Sequence, residues 1–203
     1  ADGRFAEEII PVVIPSKKGD AVVFDKDEFI KPNTTVEGLA KLKPAFRKDG
    51  TVTAGNASGL NDGAAAMLIA SGDAVKNYNL KPLARIVSSA AVGVTPGIMG
   101  IGPVEAALKA MKLAGIGWND IGLIELNEAF AAQSLACVRA WGLADNDERL
   151  NPNGGAIAIG HPLGMSGARI LYSAALEMQK KNIRYALVTM CVGVGQGYAM
   201  IIE

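Results

Sequence analysis

Residues 154–164 read GGAIAIGHPLG, and this glycine-rich stretch contains His161, the only histidine among the 203 residues of the chain. Glycines on both sides leave no Cβ atoms beside the imidazole, so a ligand or a second backbone segment can approach it closely. Pro162 removes a backbone donor and restricts the turn. A lone histidine is more often a hydrogen-bonded structural residue than a catalyst, and His161 taken alone favours that interpretation.

Two further stretches contain candidate functional side chains. Residues 191–197, CVGVGQG, place Cys191 beside alternating glycines, which is typical of a tight turn between adjacent strands that exposes the thiol. Residues 127–130, NEAF, place Asn127 at the predicted start of a helix, where its amide could be merely an N-cap or could cap and also hold a water. With Cys191 and Asn127 in these settings, a functional site becomes the better interpretation of His161.

These three segments resemble, in this order, the C-terminal half of the thiolase family, which carries N-E-A-F, G-H-P-[LI]-G and C-x-G-x-G-x-G. Residues 51–64, TVTAGNASGLNDGA, are a fourth thiolase-like match, and the resemblance extends from the first residues to the last. It implies a layered α/β fold in which two similar halves pack on each other. It divides the chain into the end of a loop domain (1–50), the last segment of the N-terminal thiolase domain (51–79) and the C-terminal thiolase domain (80–203).

The nucleophile of the family is not recognisable in this chain. Thiolases attack with a cysteine in a C-G-S-G-like elbow of their N-terminal half, and neither Cys137 nor Cys191 stands in such a segment. Cys137 lies within a helical pattern and is predicted to be a buried, inert thiol. We therefore expect the C-terminal portion of a longer thiolase, either a cleaved chain or one polypeptide of a split enzyme. Its expected partners are the N-terminal half of the same thiolase and further copies in a homo-oligomer, a dimer or a tetramer.

The resemblance also implies roles for individual residues. Joining or splitting two acyl units at a thioester needs a thiolate, a base for the proton α to a carbonyl, and donors for two oxyanions. His161 would activate the nucleophile and contribute to an oxyanion hole with a water held by Asn127. Cys191 would take and return the α-proton, particularly if an adjacent cation lowers its pKa, and the Gly193 N–H would help form the second oxyanion hole. Coenzyme A, a substrate and not a covalently bound cofactor, would contact Ala54, Ser58, Leu60, Met99, Ala129 and Phe130.

The implied function is that of an acyl-CoA C-acyltransferase, which catalyses thiolysis of a 3-oxoacyl-CoA or condensation of two acetyl-CoA molecules to acetoacetyl-CoA. Met99 and the NASG segment resemble short-chain acetoacetyl-CoA enzymes, whereas residues 101–104 and 161–164 resemble 3-ketoacyl-CoA enzymes, so acyl length stays open. The alternative is a non-catalytic thiolase-like fragment that binds CoA or lipid, or an assembly subunit. Intact His161, Cys191 and Asn127 argue against that alternative.

Composition excludes several other classes. Twenty basic and 20 acidic residues provide no net field for nucleic acid or an anionic membrane surface. No apolar run approaches the roughly 20 residues of a membrane helix. Two cysteines and one histidine offer no metal-ligand spacing and fit a reducing compartment, so we expect a cytoplasmic protein, with mitochondria and peroxisomes left open. A calcium loop from Asp25 fails at Ile30, where glycine is expected, and a dinucleotide loop at residues 193–197 is followed by a strand-like run, not a helix.

Hydrophobic periodicity predicts alternating strands and helices from about residue 80, in a sheet covered on both faces. The predicted strands are 84–92, 121–126, 184–190 and 198–202, and the predicted helices are 104–114, 128–141 and 166–181. Pro103 suits the first helical turn, and Gly115 suits the C-cap that ends the same helix. Residues 64–70 are predicted to be a strand buried on both faces that needs the N-terminal domain as its partner. Residues 1–50 are predicted to be an irregular surface segment.

Overall fold

A mixed four-stranded sheet is the centre of the structure, a computed structural model that describes residues 3–203. In chain order the elements are β1 (Val12–Ile14), β2 (Val22–Phe24), α1 (Val36–Ala40), α2 (Gly72–Asn77), β3 (Ile86–Gly93), a 3-10 helix (Pro96–Ile101), α3 (Gly102–Ala114), β4 (Ile121–Leu126), α4 (Ala131–Ala140), α5 (Ala156–Ile159), α6 (Ser166–Lys181), β5 (Tyr185–Val192) and β6 (Gln196–Ile202). The strand order is β3-β6-β5-β4, in which β4 and β5 are parallel and the other pairs antiparallel. This is the layered α/β architecture that the sequence predicts.

Helices cover both faces of the sheet. On one face, small residues of α3 and apolar residues of α4 form a core with the sheet residues Ile124, Leu126, Leu187 and Ile201. On the other face, α6 packs Ile170, Ala174 and Met178 against Leu123, Ala186, Val188 and Ile202. The alternation of buried side chains along β4 and β5 follows from the period of two in a strand, which sends successive residues to opposite faces.

Two facing glycines, Gly102 and Gly197, allow the start of α3 to pack directly against β6. A Cβ atom at Gly197 would lie 2.1 Å from the carbonyl carbon of Gly102, and one at Gly102 would lie 2.5 Å from the carbonyl oxygen of Gln196. Both glycines are therefore required by this close backbone approach. Pro103 stands in the first turn of α3, and Gly115 ends the helix with φ of 71°, as predicted from the sequence.

The helix predicted from Glu128 begins later, at Ala131. Phe130 is extended, with φ of −145° and ψ of 143°, and its backbone pairs with Ala57 in a short antiparallel bridge. The N-cap position of α4 is thus Phe130, and the interpretation of Asn127 as an N-cap is wrong. A tertiary contact with residues 56–58 overrides the local helical pattern here.

Other boundaries differ by a few residues. β3 begins two residues later than predicted and covers Ile86–Gly93. β5 continues to Val192 and β6 begins at Gln196, so both strands reach further than predicted toward the turn that joins them. The region predicted as irregular contains the β1–β2 hairpin, and all six residues of its strands are exposed. Among residues 3–203, no helix is long and apolar enough to cross a membrane.

The predicted strand 64–70 is wrong for this chain, since these residues pair with no strand in the part that the structure describes. Leu68 is 78% exposed and Ile69 is 64% exposed. A strand forms only when a neighbour accepts and donates its backbone hydrogen bonds, and residues 3–203 provide none here. The apolar composition of the segment therefore predicts burial that this chain alone does not achieve.

We predict that the isolated 203-residue chain self-associates, because an exposed apolar segment with unpaired backbone groups promotes association. Sedimentation velocity of the purified chain should show oligomers or aggregates, and Leu68→Asp or Ile69→Asp should reduce them. A monodisperse monomer of the unsubstituted chain that melts cooperatively would contradict this prediction.

Candidate active site

The ends of the parallel strands β4 and β5 place Asn127 and Cys191 at one edge of the sheet. Asn127 directly follows β4, and its backbone N–H donates to the carbonyl oxygen of Thr189 in β5 at 3.0 Å. Cys191 stands two residues after Thr189 on the same strand. Gly193 begins the turn to β6, is exposed, and has no atoms within 4 Å of where a Cβ would stand. The turn between adjacent strands that the sequence predicts at Cys191 is present.

The loop that carries Asn127 is held by a second amide. Asn151 donates from Nδ2 to the carbonyl oxygen of Leu126 at 2.8 Å and accepts the Leu126 N–H on Oδ1 at 2.9 Å. The same Nδ2 also donates to Oε1 of Glu128 at 3.1 Å. Asn151 adopts a positive φ of 43°, which asparagine tolerates better than most residues. It clamps the residues on both sides of Asn127, a role that the sequence analysis missed.

His161 is buried and hydrogen-bonded on both ring nitrogens. Its Nε2 lies 3.3 Å from Nδ2 of Asn127, and its Nδ1 lies 2.6 Å from the hydroxyl of Ser166. Its backbone N–H donates to Oδ1 of Asn61 at 3.0 Å. Two of the sequence-predicted residues, Asn127 and His161, are therefore in direct contact. Asn61 and Ser166 were not identified from the sequence, although Asn61 lies within the thiolase-like stretch 51–64.

The glycines around His161 make room for other protein groups. A Cβ atom at Gly160, where φ is 93°, would lie 2.8 Å from Oδ1 of Asn61. A Cβ atom at Gly155 would lie 2.1 Å from the carboxyl carbon of Glu128. That carboxylate accepts the Ile157 N–H at 3.2 Å and so satisfies the first turn of α5, the short helix that leads to His161. A second segment does approach closely, as the sequence predicts.

Burial sets the protonation of the two titratable candidates. Burial and, secondarily, the cationic Arg169 lower the pKa of His161 below its ordinary value, so the imidazole is neutral at neutral pH. Burial raises the pKa of the Cys191 thiol, which a hydrogen bond of its own backbone lowers only in part. No cation among the described residues lowers the pKa of Cys191, so the condition considered from the sequence is not met. Cys191 is consequently a protonated thiol near pH 7, able to donate a proton.

Cys137 is the buried thiol that the sequence predicts. It lies in α4, and burial raises its pKa to about 11. Its Sγ lies 3.4 Å from the carbonyl oxygen of Gly100 and 3.7 Å from Nε2 of Gln133. A thiol with so high a pKa carries almost no thiolate at neutral pH, which agrees with an inert structural residue.

Four of the candidate coenzyme A residues lie in or next to the loop 127–130 that follows β4: Ala129 and Phe130 are part of it, and Ser58 and Leu60 belong to the neighbouring segment. The Ser58 N–H and hydroxyl both donate to the carbonyl oxygen of Ala129, at 3.0 and 3.1 Å. Next to them, Ala57 pairs with Phe130, while the backbone of Leu60 pairs with His161 and leaves the Leu60 side chain exposed. The loop 127–130 thus joins this group to the Asn127–His161 contact.

The remaining two candidate coenzyme A residues, Ala54 and Met99, lie outside the group of contacts around the loop 127–130. Ala54 is exposed in the turn before residue 56, and Met99 is half-buried in the 3-10 helix.

A cavity of about 410 Å³ adjoins the turn after His161 and is lined by residues 61–65 and 162–165. Another, of about 350 Å³, lies between the exposed segment at Met67 and Ile69 and the α6 face of the sheet.

Comparison with known proteins identifies the family. A protein-family sequence model described as thiolase, C-terminal domain, matches residues 80–203. A second family model, described as thiolase, N-terminal domain, matches residues 1–73. The chain belongs to the thiolase family. The resemblance that the sequence motifs indicate is thereby confirmed.

Several thiolases are similar over the whole chain. The chain is 57% identical to a β-ketoadipyl-CoA thiolase of Acinetobacter baylyi over 203 residues, which is 51% of that protein. It is 54% identical to a 3-oxoadipyl-CoA/3-oxo-5,6-dehydrosuberyl-CoA thiolase of Escherichia coli over 51% of its length. Human mitochondrial 3-ketoacyl-CoA thiolase matches 99% of this chain and 50% of its own, with a TM-score of 0.93 and 51% identity. The chain spans about half the length of the curated relatives it matches.

A buried carboxyl on the α6 side of β4 makes stability depend on pH. Glu125 is 4% exposed, and burial, opposed by the nearby Arg169, raises its pKa from 4.5 to about 8. An acid whose pKa is higher in the folded state holds more protons when folded, so the free energy of unfolding falls as pH rises between the two pKa values. For Glu125 this window runs from 4.5 to about 8.

We predict that Glu125→Gln removes the fall in the free energy of unfolding that ionisation of Glu125 causes as pH rises. The stability of Glu125→Gln relative to the unsubstituted protein should increase with pH across the window, by on the order of a few kcal/mol. Urea denaturation of the intact protein at several pH values measures it, and Glu148→Gln, at an exposed carboxylate, is the matched control. A difference that does not vary with pH would show that Glu125 is ionised when folded.

Proposed function

We propose that this chain supplies the base and the proton shuttle of a thiolase, which cleaves a 3-oxoacyl-CoA with coenzyme A. The observation that supports this most directly is the buried contact between Asn127 and His161 at the strand edge that also carries Cys191. The proposed nucleophile is a cysteine in the N-terminal half of the enzyme, outside this chain. The proposed division remains 1–50 loop domain, 51–79 N-terminal domain and 80–203 C-terminal domain, in a homo-oligomeric enzyme.

His161 acts as the base in the first step. Because burial keeps the imidazole neutral, it can accept the proton of the nucleophilic thiol, which gives a thiolate and an imidazolium. The thiolate attacks the 3-oxo carbonyl carbon of the substrate, and that carbonyl oxygen becomes an oxyanion. The N–H formed on His161 then donates to that oxygen, so one residue both generates the nucleophile and stabilises the charge. When the adduct collapses, the bond between C2 and C3 breaks, the shortened acyl group stays on the cysteine as a thioester for transfer to coenzyme A, and the enolate of acetyl-CoA leaves.

Asn127 contributes to the same oxyanion hole through a water. Its Oδ1 is buried and has no hydrogen-bond partner among the described residues. A buried amide oxygen without a donor is costly, so a water that donates one O–H to Oδ1 is favoured there. The second O–H of such a water is free to donate to the substrate oxygen.

Cys191 acts in the other half of the reaction, at the α-carbon. A thiol that burial keeps protonated can donate a proton to the CoA-thioester enolate that leaves when the 3-oxoacyl chain is cleaved, and becomes a thiolate. In the reverse direction that thiolate removes the α-proton. The exposed Gly193, with open space beside it, offers its N–H to the enolate oxygen. The non-catalytic alternative has no need of this combination.

The substrate proposal comes from the similar proteins. Those 54–57% identical include β-ketoadipyl-CoA and 3-oxoadipyl-CoA thiolases, whereas a relative of 55% identity is an acetyl-CoA acetyltransferase of Syntrophomonas wolfei. We propose 3-oxoadipyl-CoA as the first substrate to assay and acetoacetyl-CoA as the second. A human 3-ketoacyl-CoA thiolase solved in complex with CoA is 49% identical, which supports CoA as a substrate. The proposed CoA contacts remain Ala54, Ser58, Leu60, Met99, Ala129 and Phe130.

The proposal predicts opposite defects for two variants of the full-length enzyme. His161→Ala should slow acylation of the nucleophile by acetyl-CoA by about 10²- to 10⁴-fold, the usual contribution of a general base. Cys191→Ser should acylate readily but lose exchange of the acetyl α-protons with deuterium, because a hydroxyl is a far weaker acid than a thiol. Intact-mass spectrometry after incubation with acetyl-CoA measures both.

Cys137→Ser is the matched control, because it makes the same chemical change at a thiol placed away from the Asn127–His161 contact. It should preserve acylation and deuterium exchange. If His161→Ala acylates at the unmodified rate, His161 is not the activating base. If Cys191→Ser exchanges deuterium like Cys137→Ser, Cys191 is not the proton shuttle.

A further inference from the structure

We infer that Ser166 is a positioning residue that holds His161 in the neutral tautomer protonated on Nδ1, with the lone pair of Nε2 directed toward Asn127. Ser166 is the first residue of α6 and is completely buried. Its hydroxyl lies 2.6 Å from Nδ1 of His161. The importance of this tautomer for catalysis rests on the proposed function, whereas the tautomer itself follows from the hydrogen bonds.

The hydroxyl of Ser166 has a single proton, and the carbonyl oxygen of Pro162 is an acceptor within reach of it. Oγ lies 3.1 Å from the carbonyl oxygen of Pro162, a group that can only accept. The Pro162 oxygen also accepts the backbone N–H groups of Met165 and Ser166. Both contacts of the hydroxyl are hydrogen bonds at once when its O–H donates to Pro162 and the Nδ1–H of His161 donates to Oγ at 2.6 Å. This arrangement places the imidazole proton on Nδ1.

The contact at the other ring nitrogen agrees with this tautomer. The Nδ2 atom of Asn127 lies 3.3 Å from Nε2. With the amide in this orientation Nδ2 is a donor, and an Nε2 atom that bears no proton accepts from it. The opposite tautomer would need both Ser166 and Asn127 to reverse their roles.

The turn 162–166 fixes the position of the hydroxyl. The Ser166 N–H also donates to the Pro162 carbonyl oxygen, at 3.0 Å, so the backbone and side chain of Ser166 hold the same acceptor. Asn61 holds the His161 backbone from the other side. The imidazole is thus restrained at its backbone and at Nδ1, and both restraints lie on the side away from Nε2.

The Nδ1–H tautomer is the one that general-base catalysis at Nε2 requires. The proton of the nucleophilic thiol moves to the Nε2 lone pair in place of the hydrogen bond from Asn127, the S–H bond breaks, and its electron pair remains on sulfur as a thiolate. The imidazolium that results keeps its Nδ1–H bond to Ser166, which is stronger for the charged donor. A ring protonated on Nε2 would present an N–H and could not accept that proton.

Nitrogen NMR of the full-length enzyme tests the inference directly. Because burial lowers the pKa of His161, the ring is neutral at pH 8, where the 15N shifts of a labelled histidine distinguish Nδ1–H from Nε2–H. The His161 signals are assigned by their loss in His161→Gln. We expect Nδ1–H in the unsubstituted enzyme and a mixture of tautomers in Ser166→Ala.

Ser173→Ala is the matched control, since Ser173 is a buried serine on the same helix whose hydroxyl bonds to Glu8 and not to His161. Ser166→Ala should slow acylation by acetyl-CoA by about 10- to 100-fold, less than complete loss of a general base, with KM unchanged. Ser173→Ala should keep both the tautomer and the rate.

An Nε2–H tautomer in the unsubstituted enzyme would overturn the inference, and this measurement decides even if Ser166→Ala does not fold. A folded Ser166→Ala that keeps a pure Nδ1–H ring and the unmodified acylation rate would also overturn it. An Nδ1–H ring in an enzyme without thiolase activity would instead refute the proposed function and leave the assignment of the tautomer standing.

Discussion

The parallel pairing of β4 with β5 is the constraint on which the candidate site depends. Parallel strands end at the same edge of a sheet, so residues that follow them are brought together although they lie far apart in the sequence. The bond from the Asn127 N–H to Thr189 continues this pairing by one residue beyond β4. It fixes Asn127 beside the strand that carries Cys191, and Asn127 in turn contacts His161. Loss of that register would separate all three.

Glycines determine how closely the surrounding segments can pack on this edge. Gly160 admits the Asn61 side chain, Gly155 admits the Glu128 carboxylate, and Gly197 admits the backbone of Gly102. A side chain at any of these glycines would occupy the space of the neighbouring group. Asn61 binds the backbone of His161, Glu128 binds the Ile157 N–H, and Gly102 packs the start of α3 on the sheet. The glycine pattern of these motifs is therefore explained largely by protein packing around the candidate site. Gly164 and Gly193 are exceptions, because nothing lies within 4 Å of where their Cβ atoms would stand.

The sequence predicts the regular elements and the site residues unevenly. Helices α3 and α6 have amphipathic patterns, and α3 also has clear end signals at Pro103 and Gly115, so their extents are predicted within about two residues. The start of α4 is not predictable locally, because Phe130 is drawn into an extended bridge by Ala57. Asn61 and Asn151 are not predictable from the sequence because each binds the backbone of a residue far away in the chain. Ser166 is not predictable because its role depends on how the turn after His161 brings the hydroxyl to the imidazole. The burial that keeps Cys191 protonated is equally invisible in the linear sequence.

The exposed apolar segment around Leu68 and the orphaned Oδ1 of Asn127 are both consistent with a site that is completed by other parts of the enzyme. Thiolysis of 3-oxoadipyl-CoA by the isolated chain and by the full-length protein, side by side, tests this central claim most directly. Denaturing mass spectrometry establishes that the first sample contains no second polypeptide. We expect turnover by the full-length protein and none by the isolated chain, because covalent acyl transfer needs the nucleophilic cysteine. Turnover by the isolated chain alone would contradict the account.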